Sequence, residues 1–290
     1  MYRLATGEDR PALVALWQEV FGDDPAFINR CLDDFAGPGN VYLSQAEDGL
    51  VNAVLSAVPC RIGFHQGVYM YALATSPSAR SGGIMTGLMT YAERRAMADD
   101  AAFSTLIPAS LSLFGYYLNR GYTQDIVLRH LEKPLAPKTR GLVNFSRLSA
   151  ADFTRLREKY TTAATVMFSA DRLELVLDDL YAGGFRSIQT LGGYAIFTQR
   201  EDTLLVAELF AKDDDAADTL LAALADQTGA TAAHLTLAET DGPYLEQGHM
   251  RPAALIKELE QDFSTRHVYL RFALDAPADA ALVDEWRQLD

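Results

Sequence analysis

Cysteine, tryptophan and histidine are scarce in this chain, and positive charge is outnumbered: there are two Cys, two Trp, five His, and 25 Lys and Arg against 39 Asp and Glu. Two cysteines, Cys31 and Cys60, cannot make a disulfide framework, and they suit a reducing compartment. His65, His130, His234, His249 and His267 fall in no metal-ligand spacing, and no Cys-x-x-Cys pair occurs, so no metal is expected. A formal charge of −14 argues against a sequence-independent grip on nucleic acid. The same acidity admits two readings, ordinary solubility or attraction for cationic small molecules. No apolar run is long enough to span a bilayer, and the opening MYRLATGEDR lacks the apolar stretch of a secretion signal. A cytoplasmic protein with no membrane partner is the expectation.

What is present is a globular composition, 49% hydrophobic and 22% charged over 290 residues, enough for one large domain or two ordinary ones. Tyr2-Arg3-Leu4 reads as a short strand, and Thr6 or Asp9 can cap the amphipathic run carrying Leu13, Leu16, Trp17 and Val20. A second helix is expected from Pro25 to Phe35, before the Gly37-Pro38-Gly39 break. Strand patterns follow over 41–45, 50–60, 61–65 and 68–75, then a helix to Ala98, a strand over 102–107 and a short helix from Ser112 to Asn119. Lys133-Pro134-Leu135-Ala136-Pro137-Lys138 reads as a linker or, failing that, a surface loop.

Beyond it the pattern starts again. Arg147-Leu148-Ser149 with Asp152 echoes Arg3-Leu4-Ala5 with Asp9, and 242–249 echoes 115–122. Between them lie an apolar strand (204–210), a loop (212–215), a helix (216–228) and a second apolar strand (232–237). The expectation is two copies of one α/β unit.

The stretch that carries chemistry is Tyr69 to Met89, YMYALATSPSARSGGIMTGLM. A strand leads through a basic, glycine-bearing turn into a helix, whose first N–H groups and dipole favour an anion. Glycine lets a phosphate approach the backbone, and Arg80 adds a fixed positive charge. A plain turn with Ser81 as N-cap is the competing reading.

Arg80-Ser81-Gly82-Gly83-Ile84-Met85 resembles the Arg/Gln-x-x-Gly-x-Gly/Ala signature of the GNAT acetyltransferase superfamily, and Tyr117-Leu118-Asn119-Arg120-Gly121-Tyr122 is similar to its Tyr-x-x-x-Gly-aromatic segment. Met85 replaces the usual small residue, as in the tandem GNATs of the enhanced-intracellular-survival (Eis) type. The resemblance implies an α/β (α+β) fold of two tandem GNAT-like domains, each a mixed twisted sheet flanked by helices, without the extra C-terminal domain of Eis. The expected division is 1–132 catalytic, 133–140 linker and 141–290 a degenerate second domain.

The resemblance also assigns roles. Backbone groups of Leu73, Ala74 and Thr75 would run beside the pantetheine arm of acetyl-CoA, and a strand amide near Ala74 would hold the oxyanion. Amides of Ser81, Gly82, Gly83, Ile84, Met85 and Thr86, with Arg80, would hold the pyrophosphate. Tyr117 would protonate the departing thiolate; its competing reading is aromatic packing with Phe114, Tyr116 and Tyr122. No general base is assigned: the strand offers Tyr69 and Tyr71 but no carboxylate, His65 is a candidate, and a water chain would also serve. Asp290 is given no such role.

In the second half, Lys212 and Asp213, Asp214 and Asp215 stand where the phosphate loop should be, without glycine, and three carboxylates repel a pyrophosphate. Asp23, Asp24, Asp33 and Asp34 lie where an acceptor cleft is expected and suggest a cationic amine, or else a solvated helix face. The expected activity is N-acetylation of a primary amine on a small molecule. The alternatives are mycothiol-synthase-like acylation, Fem-type aminoacyl transfer and a non-catalytic acyl-CoA-binding regulator. The sequence does not speak to the oligomeric state.

Overall fold

The structure, a computed structural model, describes residues 1–136, 147–161 and 164–271. The chain runs β1 (Tyr2–Leu4), α1 (Arg10–Phe21), α2 (Pro25–Arg30), β2 (Val41–Gln45), β3 (Val51–Ile62), β4 (His65–Thr75), α3 (Ile84–Ala98), β5 (Ala101–Leu106) and α4 (Leu111–Leu118). It continues through β6 (Thr123–Pro134), α5 (Ala150–Tyr160), β7 (Val166–Met167), α6 (Ala170–Ala182), β8 (Arg186–Thr190), β9 (Gly193–Arg200), β10 (Thr203–Ala211), α7 (Asp214–Thr228), β11 (Ala232–Ala238) and β12 (His249–Glu258). This is a mixed α/β fold with helices flanking mixed sheet. Among the described residues no helix is long and apolar enough to cross a membrane.

Two compact units emerge, and they do not follow chain order. One comprises 1–123, 167–175 and 255–264; the other comprises 124–166, 176–254 and 265–290. The divisions drawn from sequence, 1–132 and 141–290, do not coincide with these units. Lys133 and Pro134, read as the start of a linker, close β6, and the Leu135 amide donates to Thr231 O at 2.8 Å. Residues 137–140 of that expected linker, like Asp290, lie outside the described residues.

In the first unit β1, β2, β3 and β4 pair antiparallel in that order, β5 joins β4 in parallel, and 255–258 of β12 pair antiparallel with β5. The 61–65 segment is not a separate strand. Gly63 takes φ +57 and turns the chain, so that Ile62 pairs with His65 in one β3–β4 hairpin. On one face of the sheet Leu88, Met89, Ala92 and Ala96 of α3 pack onto Ala53, Leu55, Ala57, Val68 and Met70. On the opposite face of β4, Gly67 permits close contact with β5: a Cβ on it would sit 2.4 Å from the Phe103 ring. The same face carries an aromatic layer, with Phe35 5.3 Å from Tyr71 and 5.5 Å from Phe168, and Trp17 5.6 Å from Tyr71.

The second unit repeats the scheme. β8, β9 and β10 are antiparallel, β11 joins β10 in parallel, and β6 pairs antiparallel with β11. α7 covers it through Leu220, Leu221 and Leu224, against Phe197, Leu204, Val206 and Leu235. Asp213 caps α7, accepting from the Ala216 amide, and Gly229 ends it at φ +72. The echo of 115–122 in 242–249 is in sequence only: 111–118 is helical, whereas Gly242 and Tyr244 both take positive φ and no helix forms after Pro243.

A fully buried ion pair sits inside this unit. Arg157 donates to Glu208 at 2.6 Å, and the Tyr194 and Tyr269 hydroxyls donate to the same carboxylate at 2.5 and 2.9 Å. The Arg157 guanidinium and both phenol hydroxyls converge on the buried Glu208 carboxylate, and Arg157 Nη2 also donates to Arg271 O. Arg157→Met leaves that carboxylate without its countercharge, and urea denaturation should show a loss of about 3–5 kcal/mol.

Candidate active site

The site begins where two parallel strands part. β4 and β5 pair from Gln66 only as far as Tyr69 opposite Thr105, yet β4 runs on to Thr75. Over that stretch β4 keeps its partner on the other side, with Ser56 opposite Tyr71 and Val54 opposite Ala74. The register slips between those pairs, and Ala72 takes φ +52 at the slip. Positive φ in a residue with a Cβ costs roughly 1–2 kcal/mol, a strain typical of functional segments. Among the described residues the β5-facing edge of Leu73, Ala74 and Thr75 is thus left without a strand partner, although Thr75 O is engaged by Arg80.

From Thr75 the chain makes a tight turn over Pro77–Ala79 and enters α3. Ser81 takes φ +68, and Gly83 takes φ +73 as the residue before the helix. Gly83 is the N-cap of this helix, and among the described residues no side chain caps it, which removes the reading of Ser81 as its N-cap. The first-turn amides of Ile84, Met85 and Thr86 have no acceptor earlier in the helix. A Cβ on Gly83 would meet nothing within 4 Å, so the space before the helix is open. Glycine is required there by its backbone angle. Arg80 folds back, its Nε donating to Thr75 O at 3.2 Å, which ties the loop to the end of β4. Ile84 and Met85 lean onto the core, so the large residue at the last signature position packs downward.

A second cation stands at the same helix start. Arg120 donates from Nε to Thr86 Oγ1 at 2.8 Å, and its guanidinium lies 3.3 Å over the Tyr116 ring. Sequence reasoning missed Arg120 as a site residue; the signal was a basic residue in the variable part of the Tyr-x-x-x-Gly segment. Arg80 and Arg120 thus stand beside the start of α3, where the helix dipole and first-turn amides favour negative charge.

Tyr117 lies on α4, 7% exposed, in the same cluster as Leu88 of α3 and Leu106 at the end of β5. The Tyr116 ring stands perpendicular to it at 5.1 Å, and the Tyr122 ring lies at 5.9 Å. Its hydroxyl makes no hydrogen bond among the described residues. Burial, and secondarily Tyr116, pushes that hydroxyl well above the usual tyrosine range, against a smaller lowering by Arg120. Tyr117 therefore keeps its proton at neutral pH, with a hydroxyl able to donate.

His65 is not part of this arrangement. It opens β4, between Phe64 at 4.1 Å and Phe263 at 5.0 Å, roughly 30 Å along the strand from Ala74 at the usual rise per residue. The four acids proposed to draw a cationic acceptor are engaged locally. Asp23 accepts from Trp17 Nε1 at 2.7 Å, Asp24 caps α2, Asp33 pairs with Arg10, and Asp34 pairs with Arg30 at 3.8 Å. Two hydroxyls on the aromatic face, Ser56 Oγ and Tyr69 Oη, are buried without a hydrogen-bond partner among the described residues. Among the described residues no group of three His, Cys, Asp or Glu side chains has metal-holding geometry.

The second unit has the same parting of strands but a filled notch. β10 and β11 pair only to Val206 opposite Leu235, with a register slip just beyond. There the buried Arg129 guanidinium donates to the carbonyls of Ala238, Pro243, Tyr244 and Gln247 and draws their loop inward. Gly242 of that loop lies against Phe210: a Cβ on it would be 3.5 Å away. At the helix start Asp214 accepts from the Tyr244 amide at 2.8 Å.

Residues 1–124 match the family described as an acetyltransferase (GNAT) domain. That segment is a GNAT domain. No curated protein sequence matches the chain. Among solved structures, a probable N-acyltransferase from Enterococcus faecalis V583 superposes with a TM-score of 0.71 at 16% identity, over 90% of this chain and 73% of that one. Eis1 from Mycobacterium abscessus gives 0.68 at 14% identity, over 90% and 74%. A tandem GNAT protein from the clavulanic acid biosynthesis pathway gives 0.53 at 12%, over 91% and 99%. At such identities the likeness is one of fold. The unpaired β4 edge, the signature loop and Tyr117 all fall inside the matched GNAT domain, whereas the filled notch of the second unit lies outside it.

Burial also holds the Tyr122 hydroxyl well above its ordinary range. The folded GNAT domain thus binds these phenolic protons more tightly than the unfolded chain, whose tyrosines ionise near about pH 10. The resulting stability is complete below about pH 10 and is lost as the pH rises above it. Tyr117→Phe should make that alkaline loss shallower, as read from urea midpoints at about pH 8 and about pH 11.

Proposed function

We propose that this protein transfers an acetyl group from acetyl-CoA to a primary amine of a small molecule, with Tyr117 as general acid. The observation that carries the reading is the unpaired β4 edge leading directly into an uncapped, glycine-started helix. An extended arm ending in a diphosphate needs that combination of strand edge and anion site.

Each part of acetyl-CoA has a counterpart in this reading. Leu73, Ala74 and Thr75 would pair with the pantetheine amides along the free edge. Amides from Ser81 to Thr86, with Arg80 and Arg120, would hold the diphosphate. The amine nitrogen attacks the thioester carbonyl, and a β4 amide near Ala74 would steady the oxyanion. As the C–S bond breaks, the thiolate takes the Tyr117 proton, which solvent later restores. The proton lost by the amine passes to water, since β4 places neither carboxylate nor imidazole at the parting of the strands. The second unit is non-catalytic in this reading: its notch is filled by its own loop, and three aspartates stand at the start of α7.

The missing base favours one other reading, a non-catalytic acyl-CoA-binding regulator. Two variants separate the possibilities. Tyr117→Phe should lower kcat by about 100-fold while calorimetry shows unchanged acetyl-CoA affinity. Gly83→Glu, which puts a carboxylate in the open space before α3, should abolish binding. Binding without turnover of any amine would establish the regulator, and wild-type protein that fails to bind acetyl-CoA would overturn both.

A further inference from the structure

The GNAT match ends at residue 124, yet the packing behind Tyr117 is completed from far beyond it. Glu93 of α3 is buried, and its Oε1 accepts from the Tyr122 hydroxyl at 3.0 Å. Ser104 Oγ lies 2.6 Å from that same hydroxyl. With Tyr122 donating to Glu93, Ser104 is left as the donor to Tyr122, so the phenol is held from both sides. The countercharge for Glu93 is Lys257 of β12, whose Nζ lies 2.6 Å from Oε2.

Lys257 also shapes the turn that follows α4. Its Nζ stands 5.6 Å from the centre of the Tyr122 ring. Its stem runs past Gly121, where a Cβ would come within 3.6 Å of Cε. The neighbouring Ile256 carbonyl accepts from Thr123 Oγ1 at 3.1 Å, and the Leu255 carbonyl accepts from Thr105 Oγ1 at 2.9 Å. The strand carrying Lys257 pairs with β5 through Leu255 opposite Leu106 and Lys257 opposite Ser104. Thr105, Gly121 and Thr123, neighbours of Ser104 and Tyr122, are thus each in contact with 255–257. Tyr122, held at its hydroxyl by Glu93 and Ser104, presents its ring to Tyr117 at 5.9 Å.

We propose that Lys257 is a positioning residue for Tyr117: by neutralising Glu93 it holds the Tyr122 ring, and that ring sets where the Tyr117 hydroxyl points. The proposal rests on the general-acid reading of Tyr117. Lys257 touches neither acetyl-CoA nor amine in this scheme, so its loss should separate turnover from cofactor binding.

The test compares wild type, Lys257→Met, Lys257→Arg and the double variant Glu93→Gln with Lys257→Met. Turnover is followed as free CoA released from acetyl-CoA with a panel of primary amines, and acetyl-CoA affinity is measured by calorimetry. Lys257→Met should lower kcat by about tenfold or more, as expected of a slightly misplaced catalytic group, with acetyl-CoA affinity within about twofold of wild type. Lys257→Arg should restore most of the loss, and the double variant should recover part of it because no lone carboxylate remains. If Lys257→Met does not fold, Tyr122→Phe, which frees the ring from its two partners, should show the same separation. Unchanged kcat, or kcat and acetyl-CoA affinity lost together, would overturn the positioning role. Wild type that binds acetyl-CoA but acetylates nothing would overturn the enzyme reading, and this proposal with it.

Discussion

Two parallel strands that stop pairing before they end are the constraint on which the rest of this molecule depends. β4 and β5 are locked together at Gly67 and Phe103, and they separate after Tyr69 and Thr105. Since β4 stays bound to β3, the slip at Ala72 bends a strand that cannot leave the sheet. The free edge, the turn and the helix start then follow in unbroken sequence. Arg80 joins the first to the second, and Arg120 joins the third to the helix that carries Tyr117.

The second unit shows how little the parting of strands determines by itself. It has the same parallel pair, the same slip and a well-capped helix. What differs is local chemistry. Asp213 caps the helix start that Gly83 leaves open in the first unit, and one buried arginine gathers four carbonyls into the notch. The fold is shared, and the chemistry at the helix start is not.

What could be read from sequence divides along the same line. The signature loop was legible because its demands are local: positive φ at Gly83, a basic residue beside it, and apolar periodicity on either side. Tyr117 was legible because it keeps a short spacing to Gly121. Arg120, Lys257 and Arg129 were not, because each acts through contacts set by tertiary structure. Lys257 and Arg129 lie more than a hundred positions from their partners, as Lys257 does from Glu93 and Arg129 from Tyr244. His65, a candidate base that also reads as a structural histidine at a strand end, opens β4 at the end away from Ala74. The echo at 242–249 matched in residue types, but Pro243 and the Arg129 contacts hold it in a loop.

The interleaving of the two units bears on how the protein is made. When a ribosome has released the first 123 residues, the first unit still lacks 167–175 and 255–264. Until residue 255 emerges, the outer side of β5 is an unpaired, apolar strand edge, and Glu93 has no counter-ion. The nascent chain therefore carries an open sheet edge from the completion of β5 until residue 255 is made, a period in which pairing with another copy competes with its own last strand.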